Sequence, residues 1–146
     1  MTTYQVGECF SRDVTFDADS IRSFATLAGD HNPLHHDQAY ASRSRFGGLI
    51  ASGTQYGALL MGMVGTHLSR GTMALGVEFS LRCRKAVRAG QTLRLEWTIT
   101  AVEPKPTLGG DFVRLKGHMV DAGGITYLTA SATCLVTPES TDPASR

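Results

Sequence analysis

Charge is scarce in this sequence. Asp, Glu, Lys and Arg make up 18% of 146 residues, against about 25% in an average soluble domain. The 14 basic and 13 acidic side chains leave a net charge of +1, so no global field exists to hold a nucleic-acid backbone or an anionic membrane. A polyanionic ligand must be met by a local cluster. Long apolar runs are also missing. The most apolar stretch, 49–64, is broken by Ser52, Gly53, Thr54, Gln55, Gly57 and Gly62, and falls short of the roughly 18 uninterrupted apolar residues of a membrane span. Residues 1–13 lack the positive start and apolar run of a secretory signal. Cysteine is sparse and unpaired: Cys9, Cys83 and Cys134 show none of the spacings of zinc sites or disulfide frameworks, and read as core thiols in a reducing compartment. These absences predict a soluble, cytoplasmic protein with no nucleic-acid or membrane partner. The charge-poor surface leaves room for an oligomer interface.

A chain of this length buries about two thirds of its unfolded surface, enough for one domain with a core. In 73–82, Met73, Leu75, Val77, Phe79 and Leu81 alternate with Ala74, Gly76, Glu78, Ser80 and Arg82, the period-two pattern of a strand with one buried face. Leu93, Leu95, Trp97, Ile99 and Ala101 repeat it; Val113, Leu115 and Met119 keep a looser version; Leu128, Ala130, Ala132, Cys134 and Val136 form a fourth set. Turn residues at 88–90, 104–110 and 121–124 separate these strands, which suits an antiparallel meander. The first half is helical and irregular. After a short strand at 13–16, Asp17 is placed to cap a helix carrying Ile21, Phe24, Ala25 and Ala28 and ending at Gly29. A second helix, 54–68, is apolar around nearly its whole circumference and is therefore expected to be buried. The predicted class is α+β: a single domain over 1–136, with a curved antiparallel sheet wrapped around a buried central helix. The polar segment 137–146 reads as a disordered tail.

Chemistry concentrates between the two helices. Residues 30–37, Asp-His-Asn-Pro-Leu-His-His-Asp, hold three of the chain's five histidines. Three readings fit them. Asp and Asn favour turns and caps, with Asp37 able to cap a helical stretch after it. The cluster could bind a metal, although it lacks a helical His-x-x-x-His context and a distant Cys/His set. Or Asp30 and His35, flanking a turn that Pro33 keeps from being helical throughout, form an acid/base pair able to hold a water. Downstream, 46–54 runs straight into the second helix, which puts the Gly53 amide near a positive helix end where a developing oxyanion is stabilised. Glycines at 47, 48 and 53 also serve a tight loop and helix packing.

The stretch Phe24-Ala25-x-Leu27-Ala28-Gly29-Asp30-x-Asn32-Pro33-Leu34-His35-x-Asp37-x-Ala39-Tyr40-Ala41, followed by Phe46-Gly47-Gly48-x-Ile50-Ala51-Ser52-Gly53, resembles the MaoC-like (R)-specific enoyl-CoA hydratase family. The resemblance implies a hot-dog fold and an acyl-CoA substrate. It further implies that Asp30 and His35 act on the water, that the Gly53 amide binds the thioester carbonyl, and that Asn32 holds the loop or orients the pair. Many relatives carry His before this glycine; here it is Ser52, which should alter pocket shape more than mechanism. His31 and His36 occupy variable positions of the motif and gain no role from it.

Proton transfer alone needs no cofactor and no metal. For the phosphates of an acyl-CoA the chain offers Arg82, Arg84, Lys85 and Arg88, and a second pair, Arg43 and Arg45. Tyr56, Leu60 and Met61 on the second helix are candidates to line the acyl pocket. The competing readings are a 3-hydroxyacyl-[acyl carrier protein] dehydratase and a non-catalytic acyl-CoA-binding hot-dog subunit. Joint presence of Asp30, Asn32, Pro33, His35 and Gly53 disfavours the latter. A thioesterase is disfavoured because 54–68 contains no Asp or Glu. The family resemblance also implies a homodimer, two units joined edge to edge in one sheet.

Overall fold

A computed structural model describes residues 3–140. The first strand, β1 (Cys9–Thr15), starts four residues before the expected 13–16 and stops one residue earlier. Its extent is set by a remote partner, since it pairs with β3 (Thr92–Lys105) from Cys9 opposite Thr98 to Thr15 opposite Thr92. Helix α1 (Ala18–Ala28) follows as the capping residues predict: the Asp17 carboxylate accepts the Ser20 amide at 2.8 Å, and Gly29 closes the helix at φ 71°. Ile21 and Ala25 form its buried face. After a short 3-10 turn (Pro33–His35) comes α2 (Gln38–Arg43), capped by Asp37. Helix α3 (Gly53–Leu68) is capped by the Ser52 side chain.

Strands β2 (Thr72–Cys83), β3, β4 (Gly110–Val120) and β5 (Thr126–Pro138) join β1 in one antiparallel sheet of order β1-β3-β4-β5-β2. The meander holds for β3, β4 and β5. Strand β2 departs from it, lying at the far edge beside β5, so residues 84–91 cross the end of the sheet rather than forming a hairpin. Strand β5 continues past residue 136 to Pro138, held by pairing with β2 at Thr72. The expected tail otherwise falls largely outside the described residues.

The sheet wraps α3. Leu93, Leu95, Trp97, Ile99, Val113, Leu115, Met119 and Leu128 are buried against Leu60, Val64 and Leu68 of the helix. Trp97 donates its indole N–H to the Leu60 carbonyl at 3.0 Å. Gly117 lies opposite Trp97 in the register, and a Cβ there would come within 2.6 Å of the indole, so glycine is what lets the ring lie over β4.

Three expectations are corrected. The apolar alternation of β2 is not one buried face. The register slips between Gly76 and Glu78, so that Val77 is an extra residue. Such a bulge inverts the parity of the strand. Ala74 and Gly76 face α3 before it, opposite Val136 and Cys134; Leu81 and Phe79, the latter still 37% exposed, face α3 after it, opposite Ala130 and Ala132. Met73, Leu75 and Val77 are left 49%, 66% and 52% exposed. Next, α3 is not buried all round: Thr54, Ala58, Gly62, Gly65 and Thr66 are exposed along the side the sheet does not cover. Finally, only Cys134 is a core thiol. Cys9 and Cys83 are exposed because both lie on edge strands.

Candidate active site

The site is built from the end of α1 and the start of α3. Past the left-handed Gly29, the Asp30 amide donates back to the Ala25 carbonyl at 2.8 Å. One oxygen of the Asp30 carboxylate, Oδ1, accepts the Asn32 amide at 3.0 Å, and the Asn32 side chain in turn accepts the Leu34 amide at 3.1 Å. Two consecutive Asx turns thus lead into the 3-10 turn, with Pro33 at its start. The turn is tied to the strand-like segment entering α3 by the Ile50 amide, which donates to the Leu34 carbonyl at 3.1 Å.

This folding brings His35 inward, its side chain 7% exposed. Its Nδ1 lies 2.8 Å from the Ile50 carbonyl. A carbonyl only accepts, so Nδ1 carries the hydrogen, and in the neutral ring Nε2 is an acceptor. That Nε2 stands 3.5 Å from Asp30 Oδ2, too far for a direct hydrogen bond and suited to a pair that shares a third molecule. Both face a cavity of about 580 Å³ whose walls include Ser52, Gly53, Gly57, Ala58, Met61, Phe79 and Leu81. Gly53 is the first residue of α3, so its amide has no partner within the helix and lies at the positive end of the helix dipole. Ser52 is spent on the cap: its hydroxyl accepts the Gln55 amide at 3.3 Å and the Thr54 hydroxyl at 3.1 Å.

Asp30, His35, Ser52 and Gly53 are therefore brought together on one cavity. Asn32 is exposed and acts through backbone bonds in the turn. Tyr56 does not line the cavity. It is buried beside Phe16, edge to face at 6.2 Å, with its hydroxyl 3.6 Å from Cys83 Sγ, and burial together with that thiol pushes its phenol well above the ordinary range. Leu60 also points into the core, while Met61 reaches the cavity. The cations stay outside. Arg82, Arg84, Lys85, Arg88, Arg43 and Arg45 are all exposed. Lys85 lies over the Tyr127 ring and Arg45 over the Phe46 ring, at 5.0 and 4.8 Å. The 82–85 run flanks the start of α3, because a Cβ on Gly53 would stand 3.5 Å from Cys83 Sγ.

Phe79 and Leu81 were legible as inward residues, but nothing in an alternating pattern distinguishes facing a core from facing a cavity. His36 was missed as well: its Nε2 lies 2.6 Å from the Asp30 carbonyl. His35 and His36 thus have separate partners, and among the described residues no group of three or more His, Cys, Asp or Glu side chains is placed to hold a metal. Nor, among these residues, is any helix long and apolar enough to cross a membrane.

Comparison with known proteins gives a family and a fold. Residues 5–109 match the family described as MaoC like domain. The (R)-specific enoyl-CoA hydratase of Aeromonas caviae is 33% identical over 130 residues, covering 88% of this chain and 92% of that protein. A 3-hydroxybutyryl-CoA dehydratase of Methylorubrum extorquens is 30% identical over 88 residues, 60% of this chain and 55% of that protein. Among solved structures, the (R)-hydratase from A. caviae involved in PHA biosynthesis superposes with a TM-score of 0.82 at 26% identity, covering 94% of this chain and all of that one. An unliganded R-hydratase from Pseudomonas aeruginosa gives the same TM-score and identity over 93% of this chain and 84% of its own. The sheet wrapped around α3 is the hot-dog fold.

Proposed function

This chain belongs to the MaoC-like dehydratase family, and from that premise we propose that it catalyses the (R)-specific hydration of a 2-enoyl-CoA to the (R)-3-hydroxyacyl-CoA, or the reverse dehydration. One observation carries the reading: Asp30 Oδ2 and His35 Nε2, 3.5 Å apart, face one cavity together with Gly53. Two acceptors at that spacing hold a water by its two hydrogens and leave an oxygen lone pair free to attack. In the forward direction the water oxygen bonds to Cβ, one of its protons passes to the Asp30/His35 pair, and the double-bond electrons move to Cα and the thioester oxygen. The Gly53 amide and the positive end of α3 stabilise that enolate oxygen. The pair then returns a proton to Cα, the enolate carbonyl reforms, and both fragments of water have added from one face. Proton transfer by positioned groups requires no cofactor.

The cavity walls at Met61, Phe79 and Leu81 are apolar and suit the acyl chain. The exposed cations at 82–85 follow directly on Leu81 of the cavity wall, and together with Arg43 and Arg45 they are the groups we assign to the nucleotide phosphates. A carrier-protein thioester would use the same pair, and only its donor surface would differ.

The test is loss of enoyl absorbance on crotonyl-CoA. Asp30→Asn and His35→Gln each lower kcat by about 10² to 10⁴ while the fold, followed by circular dichroism, is retained. Near-wild-type turnover in either variant removes that residue from the mechanism. Release of free thiol by the wild type would instead indicate a thioesterase, and preference for a carrier-protein thioester would favour the second donor.

A further inference from the structure

We infer that His36 is a positioning residue for Asp30, an inference that rests on the reading of Asp30 and His35 as the pair that handles water. Its ring Nε2 lies 2.6 Å from the Asp30 main-chain carbonyl, six positions back along the chain and across the 3-10 turn. The carbonyl accepts, so Nε2 carries the hydrogen and donates it. The consequence is for the backbone of Asp30. Its amide is already held by the Ala25 carbonyl of α1 at 2.8 Å; with His36 on its carbonyl it is held at both ends, which sets the direction of its Cα–Cβ bond.

Little else fixes the carboxylate. Its side chain is 34% exposed, only Oδ1 has a protein partner in the Asn32 amide, and Oδ2 stands 3.5 Å from His35 Nε2. His36 is itself held in place. Its amide donates to the Pro33 carbonyl at 3.2 Å, and its carbonyl accepts Arg22 Nε of α1 at 3.2 Å. The clamp therefore closes a ring of contacts from α1, through Asp30, back to the residue beside His35. An acid/base pair is sensitive to this, since misplacement by about 1 Å costs on the order of 10² in rate.

The experiment compares wild type with His36→Leu, His36→Ala and His36→Gln. Leu and Ala remove the donor, whereas the Gln amide keeps one at similar reach. With crotonyl-CoA, the Leu and Ala variants lower kcat by about 10- to 100-fold with KM little changed, and Gln recovers most of the loss. Equal losses in all three in step with lowered Tm, or no loss in any, overturn the inference. A second readout is independent of turnover: amide hydrogen exchange at Asn32, whose N–H is held by Asp30 Oδ1, quickens in the Leu and Ala variants and stays near wild type in Gln. Unchanged exchange in the Leu and Ala variants overturns the inference whether or not the wild type is active. Absence of wild-type turnover on enoyl thioesters, with the exchange pattern as expected, overturns the proposed function and leaves the clamp standing.

Discussion

At Gly53, the fold does not ask for glycine. An added Cβ would meet Cys83 Sγ at 3.5 Å and the Tyr56 hydroxyl at 3.6 Å, ordinary contacts, and the residue has no positive φ. The oxyanion role proposed for its amide does ask for it, since that role needs a close approach by the thioester. Gly53→Ala should therefore leave Tm within about 2 °C of wild type, a change of about 0.6 kcal/mol at most, and lower kcat/KM on an enoyl-CoA by about 10² through displaced thioester. Wild-type kcat/KM in the alanine variant would remove Gly53 from the oxyanion site. Single residues differ in how legible they were. Asp30, His35 and Gly53, which line one cavity, stand out by type and spacing, since the acid/base and amide chemistry proposed for them needs those groups. Tyr56 was misplaced because a residue on a helix that is apolar all round has no readable direction; its burial beside Phe16 depends on where the sheet lies. His36 left a signal only as part of a cluster, and its bond to the Asp30 carbonyl depends on how the turn closes.

At the scale of elements, periodicity and caps carried most of the information. Asp17, Gly29 and Asp37 bound their helices through local side-chain and backbone bonds, and the inward sets of β4, β5 and of β3 as far as Ile99 follow period two; beyond it a slip between Ile99 and Ala101 leaves Ala101 out of the core and packs Val102 against it. What periodicity missed are the places where the period breaks. Val77 shifts the inward face of β2 from Ala74 and Gly76 to Phe79 and Leu81, and only pairing with β5 reveals the shift. The Trp97–Gly117 contact is another pairing effect, an indole accommodated by an absent side chain on the neighbouring strand. Gly117→Ala forces a methyl against that ring and should destabilise the protein by about 1 to 3 kcal/mol, as overpacking in a filled core does. Urea denaturation measures it, and an unchanged midpoint would mean that the indole yields freely.

For the whole molecule, two surfaces are left uncovered, the β2 edge and one side of α3. Strand β2 has twelve residues and a neighbour on one side only, with Met73, Leu75 and Val77 exposed, and its Phe79 and Leu81 line the cavity. A long apolar edge of this kind favours pairing with another strand. We propose that two copies join there into one continuous sheet, which closes the side of the cavity that β2 borders. Light scattering at micromolar concentration should give twice the 15.7 kDa chain mass; a monomer contradicts the proposal. The charge-poor composition pointed towards such an interface without locating it. By itself the sequence determined the elements, their caps, the α+β class and the chemical types around residue 30, because these depend on neighbours within a few positions. Tertiary structure alone decided the strand order, the slip at Val77, the 3.5 Å spacing of Asp30 and His35 and the bond from His36. These are contacts between segments whose relative placement is set by how the sheet closes around α3, a sum over the whole core that no local pattern contains.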